Sequence, residues 1–394
     1  MSRLQSPSAA PSQPASSPPR GASLARRVGR WPIVAGRLAF RRVSGVRKQA
    51  QRWAKRGRYV LRRLQDGSKS VYFDLRDSQR GRVVLEALAG LRAGGEQRAR
   101  RRAAAPHVAR FTGMAIDPAR GYGLLSFDPA GDFAPALAAC RRLFETKQRP
   151  VEERLAGFDT WSPEKQQKFR SQKQSFLRYL LDDGDLRRHP ELVDFGLSEA
   201  LLGPATRYLG MVPYFTRLDL MYSLPRGTDG SIESQLFHLD HEGLMQVKAF
   251  VHVYDVGAAE GPFTFIPANE SARIVRDIRR LRRERGHQPD VEARRYLDEE
   301  VAAVGGRDAI VTIQGPAGTG VAVDTSRCLH LGSRVRPGAF RLCLYGQYCT
   351  TREVTNVFDV ERYDADPIRH LAVAHSVEAG RALASAYTQR MTAG

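Results

Sequence analysis

The hydrophobic period of this chain changes once, near Thr216, and that change limits the folds open to it. Before it, apolar residues recur every three to four positions. Phe133 to Phe144, Glu164 to Leu181 and Pro190 to Leu209 read as helices, the last closed by Gly210 as C-cap. From Thr216 the spacing is two. Strands are expected at Thr216 to Ser223, Gln246 to Asp255, Phe263 to Ile266, Ala309 to Gln314, Gly320 to Asp324 and Phe340 to Tyr348. Between the third and fourth of these, Ala272 to Val304 reads as a charged helical insertion. A helical front followed by short strands implies helices packed on one side of a closed or sandwich-like β-structure. With 394 residues, 42% of them hydrophobic, the chain can bury one large core or two modest ones.

Within the strand-rich half stands His238-Leu239-Asp240, answered by His330 ninety residues after Asp240. On an extended segment residues i and i+2 point to the same side, so His238 and Asp240 can reach one metal together. Two imidazoles and a carboxylate are the ligand set of the facial triad, which holds non-haem Fe(II) and leaves positions open for substrate and O₂. Arg341 lies eleven residues beyond His330, at the start of a strand-like run. A fixed guanidinium there suits a charge-assisted, bidentate bond to a carboxylate, as a dicarboxylate such as 2-oxoglutarate requires. Taken singly, each histidine reads equally as a satisfied core residue.

Further motifs stand in a fixed order around these residues. Arg120-Gly-Tyr-Gly-Leu-Leu125 opens the series, followed by His189-Pro-Glu-Leu192 and Tyr208-Leu-Gly210. Then come Phe237-His-Leu-Asp-His241, Glu260-Gly-Pro-Phe-Thr-Phe-Ile-Pro267, and Cys328-Leu-His330 through Arg341. In that order, roughly from Gly121 to Thr350, they resemble the phytanoyl-CoA dioxygenase family of Fe(II)/2-oxoglutarate oxygenases. The resemblance implies an α+β fold with a double-stranded β-helix (jelly-roll, cupin-like) core flanked by helices. It implies His238, Asp240 and His330 as iron ligands and Arg341 as the 2-oxoglutarate anchor. The implied reaction is oxidative decarboxylation of 2-oxoglutarate with O₂, coupled to hydroxylation of an aliphatic C–H of a small-molecule, acyl or lipid-type substrate. Two departures stand out. The family often has a co-substrate-binding Ser two residues after the distal His, where this chain has Gly332 and then Ser333. The turn after the Gly-Pro motif reads Pro267-Ala-Asn-Glu-Ser271. A halogenase of this chemistry leaves the carboxylate position vacant, so Asp240 favours hydroxylation.

Other residues carry weaker expectations. Lys248 is a second candidate partner for a co-substrate carboxylate. It shares one face of its strand with Gln246, Phe250, His252 and Tyr254, a face that either lines the site or decorates the exterior. His241 points opposite to the triad, toward a substrate-side role or plain exposure. Cys328 reads as packing, because a thiolate ligand would block the open site. His107, His189, His287, His370 and His375 read as surface. Cys140, Cys328, Cys343 and Cys349 lack paired spacing and read as reduced, buried thiols.

Charge divides the chain. Residues 1–65 hold sixteen Lys or Arg and no acid, which leaves 46 basic against 42 acidic side chains in the other 329. The net charge of +20 therefore describes an appendage. Residues 1–22 are Ser/Pro/Ala-rich and expected to be disordered. From Phe40 to Leu64 an apolar stripe including Trp53 runs along a basic helix. Such a helix suits an anionic membrane surface through residues 24–65, a helix docked on its own domain, or an organelle transit segment. Nucleic acid is disfavoured by the absence of a recognisable module. The run Arg98-Ala-Arg-Arg-Arg102 reads as a solvated face. The expected organisation is a basic arm (1–65), a helical linker (66–110), a dioxygenase domain (111–355) and a helical extension (356–394) whose amphipathic helix runs from Pro367 to Met391. No apolar run is long enough to span a bilayer and no secretory signal core is evident, so a cytoplasmic or membrane-peripheral protein is expected. Two rival readings are a metal-binding β-helix without catalysis and an adaptor that works through the basic arm. Oligomeric state and primary substrate are not legible.

Overall fold

The computed structural model describes residues 94–226, 230–240, 242, 244–286, 294–352 and 355–376, together with Gly81, Val84, Leu85 and Leu88. The basic arm with its Phe40–Leu64 stripe, His241, His287 and the C-terminal helix beyond Ser376 lie outside the described residues.

Nine strands form two antiparallel sheets among these residues. They are β1 (Tyr122–Ser126), β2 (Leu177–Tyr179), β3 (Tyr214–Ser223), β4 (Gln246–His252), β5 (Phe263–Ile266), β6 (Val311–Ile313), β7 (Thr319–Val323), β8 (Leu329–Leu331) and β9 (Arg341–Cys349). The larger sheet has the order β1-β7-β4-β9-β3-β2 and the smaller one β6-β5-β8. Their facing surfaces share an apolar cluster that includes Phe250, Val321 and Tyr345 from one sheet and Phe263, Phe265 and Ile313 from the other. This is the double-stranded β-helix layering.

The central strands β3, β4 and β9 of the larger sheet are buried on both faces, and alternation along them separates two environments. Leu220 and Tyr222 of β3, Val247, Ala249 and Val251 of β4, and Leu342 and Leu344 of β9 point outward. They meet a helical layer of α2 (Ala134–Ala156), α5 (Pro190–Gly196) and α6 (Glu199–Leu209). On the opposite face, buried polar residues, among them Gln246, Lys248, Arg341 and Gln347, stand between apolar ones such as Met221 and Phe250.

Helices were expected on one side only, yet they cover both. The insertion folds as α7 (Ala268–Glu284) and α8 (Asp298–Ala303) on the outer face of the smaller sheet. There Ile274, Val275 and Ile278 cover Ile266, Leu329 and Leu331. The cause is simple: the outward side chains of β5 and β8 are apolar and need a partner face.

Local departures have equally local causes. The helix expected over Glu164 to Leu181 ends as α3 (Pro163–Arg170), and Leu177–Tyr179 becomes β2, paired with β3. Burying Phe176 and Leu177 between the sheets outweighs their helical period. The helix expected from Pro190 to Leu209 breaks between α5 and α6. A side chain on Gly196 would strike the Phe215 ring, and the Gly196 carbonyl freed by the break accepts a hydrogen bond from the Tyr348 hydroxyl at 2.6 Å. Gly210 caps α6 in the left-handed conformation as expected, with φ 66°. β8 was missed because three residues carry no readable period.

In α1 (Gly94–Arg110), Arg100 is buried, not solvated. It donates to the Val212 and Pro213 carbonyls and stacks 3.6 Å from the Tyr214 ring centre. His375, expected at the surface, is buried edge-on against the same Tyr214 ring. Burial, then the nearby Arg100 cation, pushes its imidazole down to about 4. His107, His189 and His370 stay partly exposed. All four cysteines are free and buried, and Cys328 donates toward the Arg120 and Gly121 carbonyls. No helix among the described residues is long and apolar enough to cross a membrane.

Candidate metal centre

His238 and His330 reach each other through the backbone. Each N–H donates to the other's carbonyl, at 2.9 and 3.0 Å, so the 237–238 segment extends the smaller sheet beside β8. This pairing places the two imidazoles side by side, with ring centres 4.3 Å apart. Asp240 shares the side of His238, as the i, i+2 spacing requires, and its backbone N–H is held by the Thr325 carbonyl at 2.9 Å. Its carboxylate oxygens lie 3.3 Å from His330 Nε2 and 3.6 Å from His238 Nε2. One ligand atom from each of the three residues lies within 4.8 Å of the others.

The outer nitrogens fix what the inner ones can do. His238 Nδ1 faces the Leu236 carbonyl at 2.8 Å, and His330 Nδ1 faces the Cys328 carbonyl at 3.0 Å. A carbonyl only accepts, so each Nδ1 carries a proton, and each ring turns its Nε2 toward Asp240. Burial, then the neighbouring His330, pushes the His238 imidazole well below its ordinary range. Burial alone would raise Asp240. The Lys248 ammonium and then the imidazoles outweigh it and hold the carboxylate well below the usual range. Metal–ligand bonds of about 2.1 Å would set neighbouring donors roughly 3.0–3.4 Å apart, close to the two observed separations. The donor set fits a metal.

Lys248 does not stand free for a ligand. Its ammonium donates to Asp240 Oδ2 at 2.8 Å and to Glu242 Oε2 at 2.9 Å. Burial would lower it, but Asp240, Tyr345 and Glu242 together keep it well above its ordinary value. The sequence reading missed Glu242, although the signal was available: it continues the alternation of His238 and Asp240. The shared face of β4 turns inward with Gln246, Lys248, Phe250 and His252. Gln246 joins a relay in which Tyr345 donates to Gln347 at 2.8 Å, Gln347 to Gln246 at 3.3 Å, and Gln246 to Thr325 at 3.1 Å. His252 is sealed inside, and burial, then Arg341, pushes it down to about 4.

Arg341 opens β9 on the same inner face and is 3% exposed. One terminal nitrogen bonds the Gly261 carbonyl. The other lies 3.3 Å from Ser333 Oγ and 3.4 Å from Ser223 Oγ. Its Nε has no partner, and no carboxylate among the described residues pairs with it. Burial lowers its pKa from the ordinary value. Ser333 has φ 63°, an uncommon conformation that turns its hydroxyl onto the guanidinium. Gly332 lies flat beside it, where an added Cβ would sit 3.4 Å from Arg341 Nη2.

The triad, Lys248, Ser333 and Arg341 line one cavity of about 70 Å³, with Leu177, Met221, Phe250 and Phe263 as its apolar wall. A larger cavity, about 260 Å³, lies on the outer face of the smaller sheet between Phe237, Val301, Leu331 and Arg334, and none of the triad lines it.

No protein-family model matches the chain, and no curated protein matches it. Among solved structures, it is similar to SnoN, a non-haem α-ketoglutarate-dependent epimerase from nogalamycin biosynthesis. That match has 18% identity over 63% of this chain and 83% of SnoN, with a TM-score of 0.37. EctD from S. alaskensis matches at 17% identity over 65% and 81%, with a TM-score of 0.35. HygX from Streptomyces hygroscopicus, solved with nickel and 2-oxoglutarate bound, matches at 13% identity over 60% and 85%, with a TM-score of 0.33. The resemblance to the phytanoyl-CoA dioxygenase family rests on the sequence motifs alone.

Proposed function

We propose that this chain is an Fe(II)- and 2-oxoglutarate-dependent oxygenase of the phytanoyl-CoA dioxygenase type that hydroxylates an aliphatic C–H of a small-molecule, acyl or lipid-type substrate. One observation carries the reading. A buried guanidinium without a counter-ion among the described residues lines the same cavity as two imidazoles and a carboxylate that converge on one point. A metal-binding module without catalysis accounts for the second feature but has no use for the first.

His238, Asp240 and His330 would hold the metal from one side, leaving its other positions toward the cavity. When bound, Fe(II) with 2-oxoglutarate and O₂ supplies an oxidative decarboxylation, to succinate and CO₂, that drives C–H hydroxylation. The chain's own groups orient and shield. Arg341 presents a planar fork to the distal carboxylate, with the Ser333 hydroxyl beside it. Phe250 and Phe263 keep that end of the cavity dry, which strengthens the charge pairing. Lys248 holds Oδ2 of Asp240, the oxygen that also faces His330, while Oδ1 faces His238. Anaerobically purified protein supplied with Fe(II), 2-oxoglutarate, ¹⁸O₂ and a metabolite extract tests the proposal by mass spectrometry. Succinate formation with an ¹⁸O-labelled product is expected. Stoichiometric Fe(II) binding without 2-oxoglutarate binding would favour the non-catalytic module.

A further inference from the structure

Two of the three candidate ligands depend on one short stretch of chain, the 324–328 turn between β7 and β8. Its Thr325 carbonyl holds the Asp240 backbone N–H, and its Cys328 carbonyl receives the His330 Nδ1 proton. The turn thus fixes where the Asp240 carboxylate starts and how the His330 ring is rotated.

The turn is itself held by a buried polar cluster that the proposed chemistry does not use. Asp324 is fully buried. Its Oδ1 accepts the Ser326 N–H at 3.0 Å and the Ser326 hydroxyl at 2.6 Å. Its Oδ2 accepts the Tyr208 hydroxyl at 2.8 Å. Tyr208 in turn accepts from Arg327 at 2.7 Å, and the same guanidinium nitrogen reaches the Pro118 carbonyl at 2.9 Å. The Asp324 backbone carbonyl closes the turn by accepting from Arg327 N and Cys328 N, at 3.0 and 2.8 Å. Tyr208 belongs to α6, in the helical layer, so the cluster ties a helix behind the larger sheet to the ligands in front of it. An apolar filler would pack this seam equally well. A carboxylate bonded on both oxygens instead fixes one rotation of the turn.

We propose that the Tyr208–Asp324–Ser326 cluster is a positioning device for the metal site, holding the 324–328 turn so that Asp240 and His330 meet at ligating distance. The inference rests on the metal reading above, and its test separates the two. Groups bonded directly to the ligands, here the Thr325 and Cys328 carbonyls, are worth ten- to a hundredfold in metal affinity when lost, and this cluster acts one step behind them, at the lower end of that range.

The experiment is an anaerobic Co(II) titration of the full chain, read by visible absorption, with thermal melting alongside. Tyr208→Phe removes only the hydroxyl on Asp324. Tyr348→Phe is the control, because it removes a fully buried hydroxyl bonded to Gly196, away from the triad. Tyr208→Phe is expected to weaken Co(II) binding about tenfold and to alter its absorption bands. Tyr348→Phe should lower the melting temperature while leaving Co(II) affinity within about twofold. Should Tyr208→Phe fail to fold, Ser326→Ala, which removes one bond to the other Asp324 oxygen, decides with the same expected loss. Co(II) affinity unchanged in the folded variants, with a melting loss like that of Tyr348→Phe, overturns the proposal. A wild-type chain that takes no Co(II) at all overturns the metal reading itself.

Discussion

Along the central strands of the larger sheet the two faces are both buried and chemically different. Outward from β3, β4 and β9 stand Leu220, Val251 and Leu344, packed on helices. Inward, at alternate positions of the same strands, stand Asp219, Lys248 and Arg341. Buried polar groups cost free energy unless they are paired. Most of the inward ones are paired with each other: Lys248 with Asp240 and Glu242, Arg217 with Asp219, and Tyr345 with Gln347. Among the described residues Arg341 has no acid of its own. The outer face carries stability. The inner face holds charges that are only partly answered by the chain, and a ligand would complete them.

Substitutions on the two faces should separate these roles. The largest effect is expected at the inner edge: His238→Ala or His330→Ala should abolish stoichiometric Fe(II) binding in an anaerobic titration. Full occupancy in both variants would break the proposed site. Metal found after purification in air is a poorer guide, since later transition metals bind nitrogen and oxygen donors more tightly. Next, Arg341→Ala should weaken 2-oxoglutarate binding to the metal-loaded protein by about thirty- to several-thousand-fold. This corresponds to roughly 2–5 kcal/mol for removing one partner of a buried charge pair. An unchanged Kd would shift the anchor to another cation on the inner face. On the outer face, Leu344→Ala should cost about 2–5 kcal/mol in denaturant unfolding. Its Fe(II) and 2-oxoglutarate affinities should stay within about twofold of wild type. A large loss of affinity there would mean that the faces are not separable.

The smallest effect concerns pH. His375 packs on the helical side, and its folded pKa of about 4 lies below the ordinary imidazole value. Below about pH 6.5 the unfolded chain takes up a proton that the folded chain refuses until about pH 4. Stability is therefore fully present above about pH 6.5 and falls between these values, by on the order of 3 kcal/mol at most. His375→Phe should flatten that interval. Carboxylates titrate in the same range, so the quantity to measure is the difference between wild type and variant.

The sequence by itself determined the parts of this protein that are written in short spacing. The period change near Thr216 gave the helix-then-strand order, and most strands start and end within a few residues of their expected limits. The i, i+2 relation put His238 and Asp240 on one side. Counting forward to His330 and Arg341 named residues that the fold brings into one cavity. Glu242 lay within the same alternation and was readable, though unread.

Tertiary structure decided the rest, because the deciding partner was distant in sequence. Alternating polar residues on β4 read equally as a solvent face or a cavity lining, and only the smaller sheet lying across them makes them interior. Leu177 has helical spacing, but pairing with β3 and burial between the sheets turn it into strand. Arg100 and His375 sit in ordinary charged or helical runs, yet both are buried on one tyrosine from β3. The tie from Tyr208 through Asp324 to the turn that holds Asp240 and His330 crosses 116 residues. No local period encodes such a contact. It exists because a helix and a turn are packed against the same sheet.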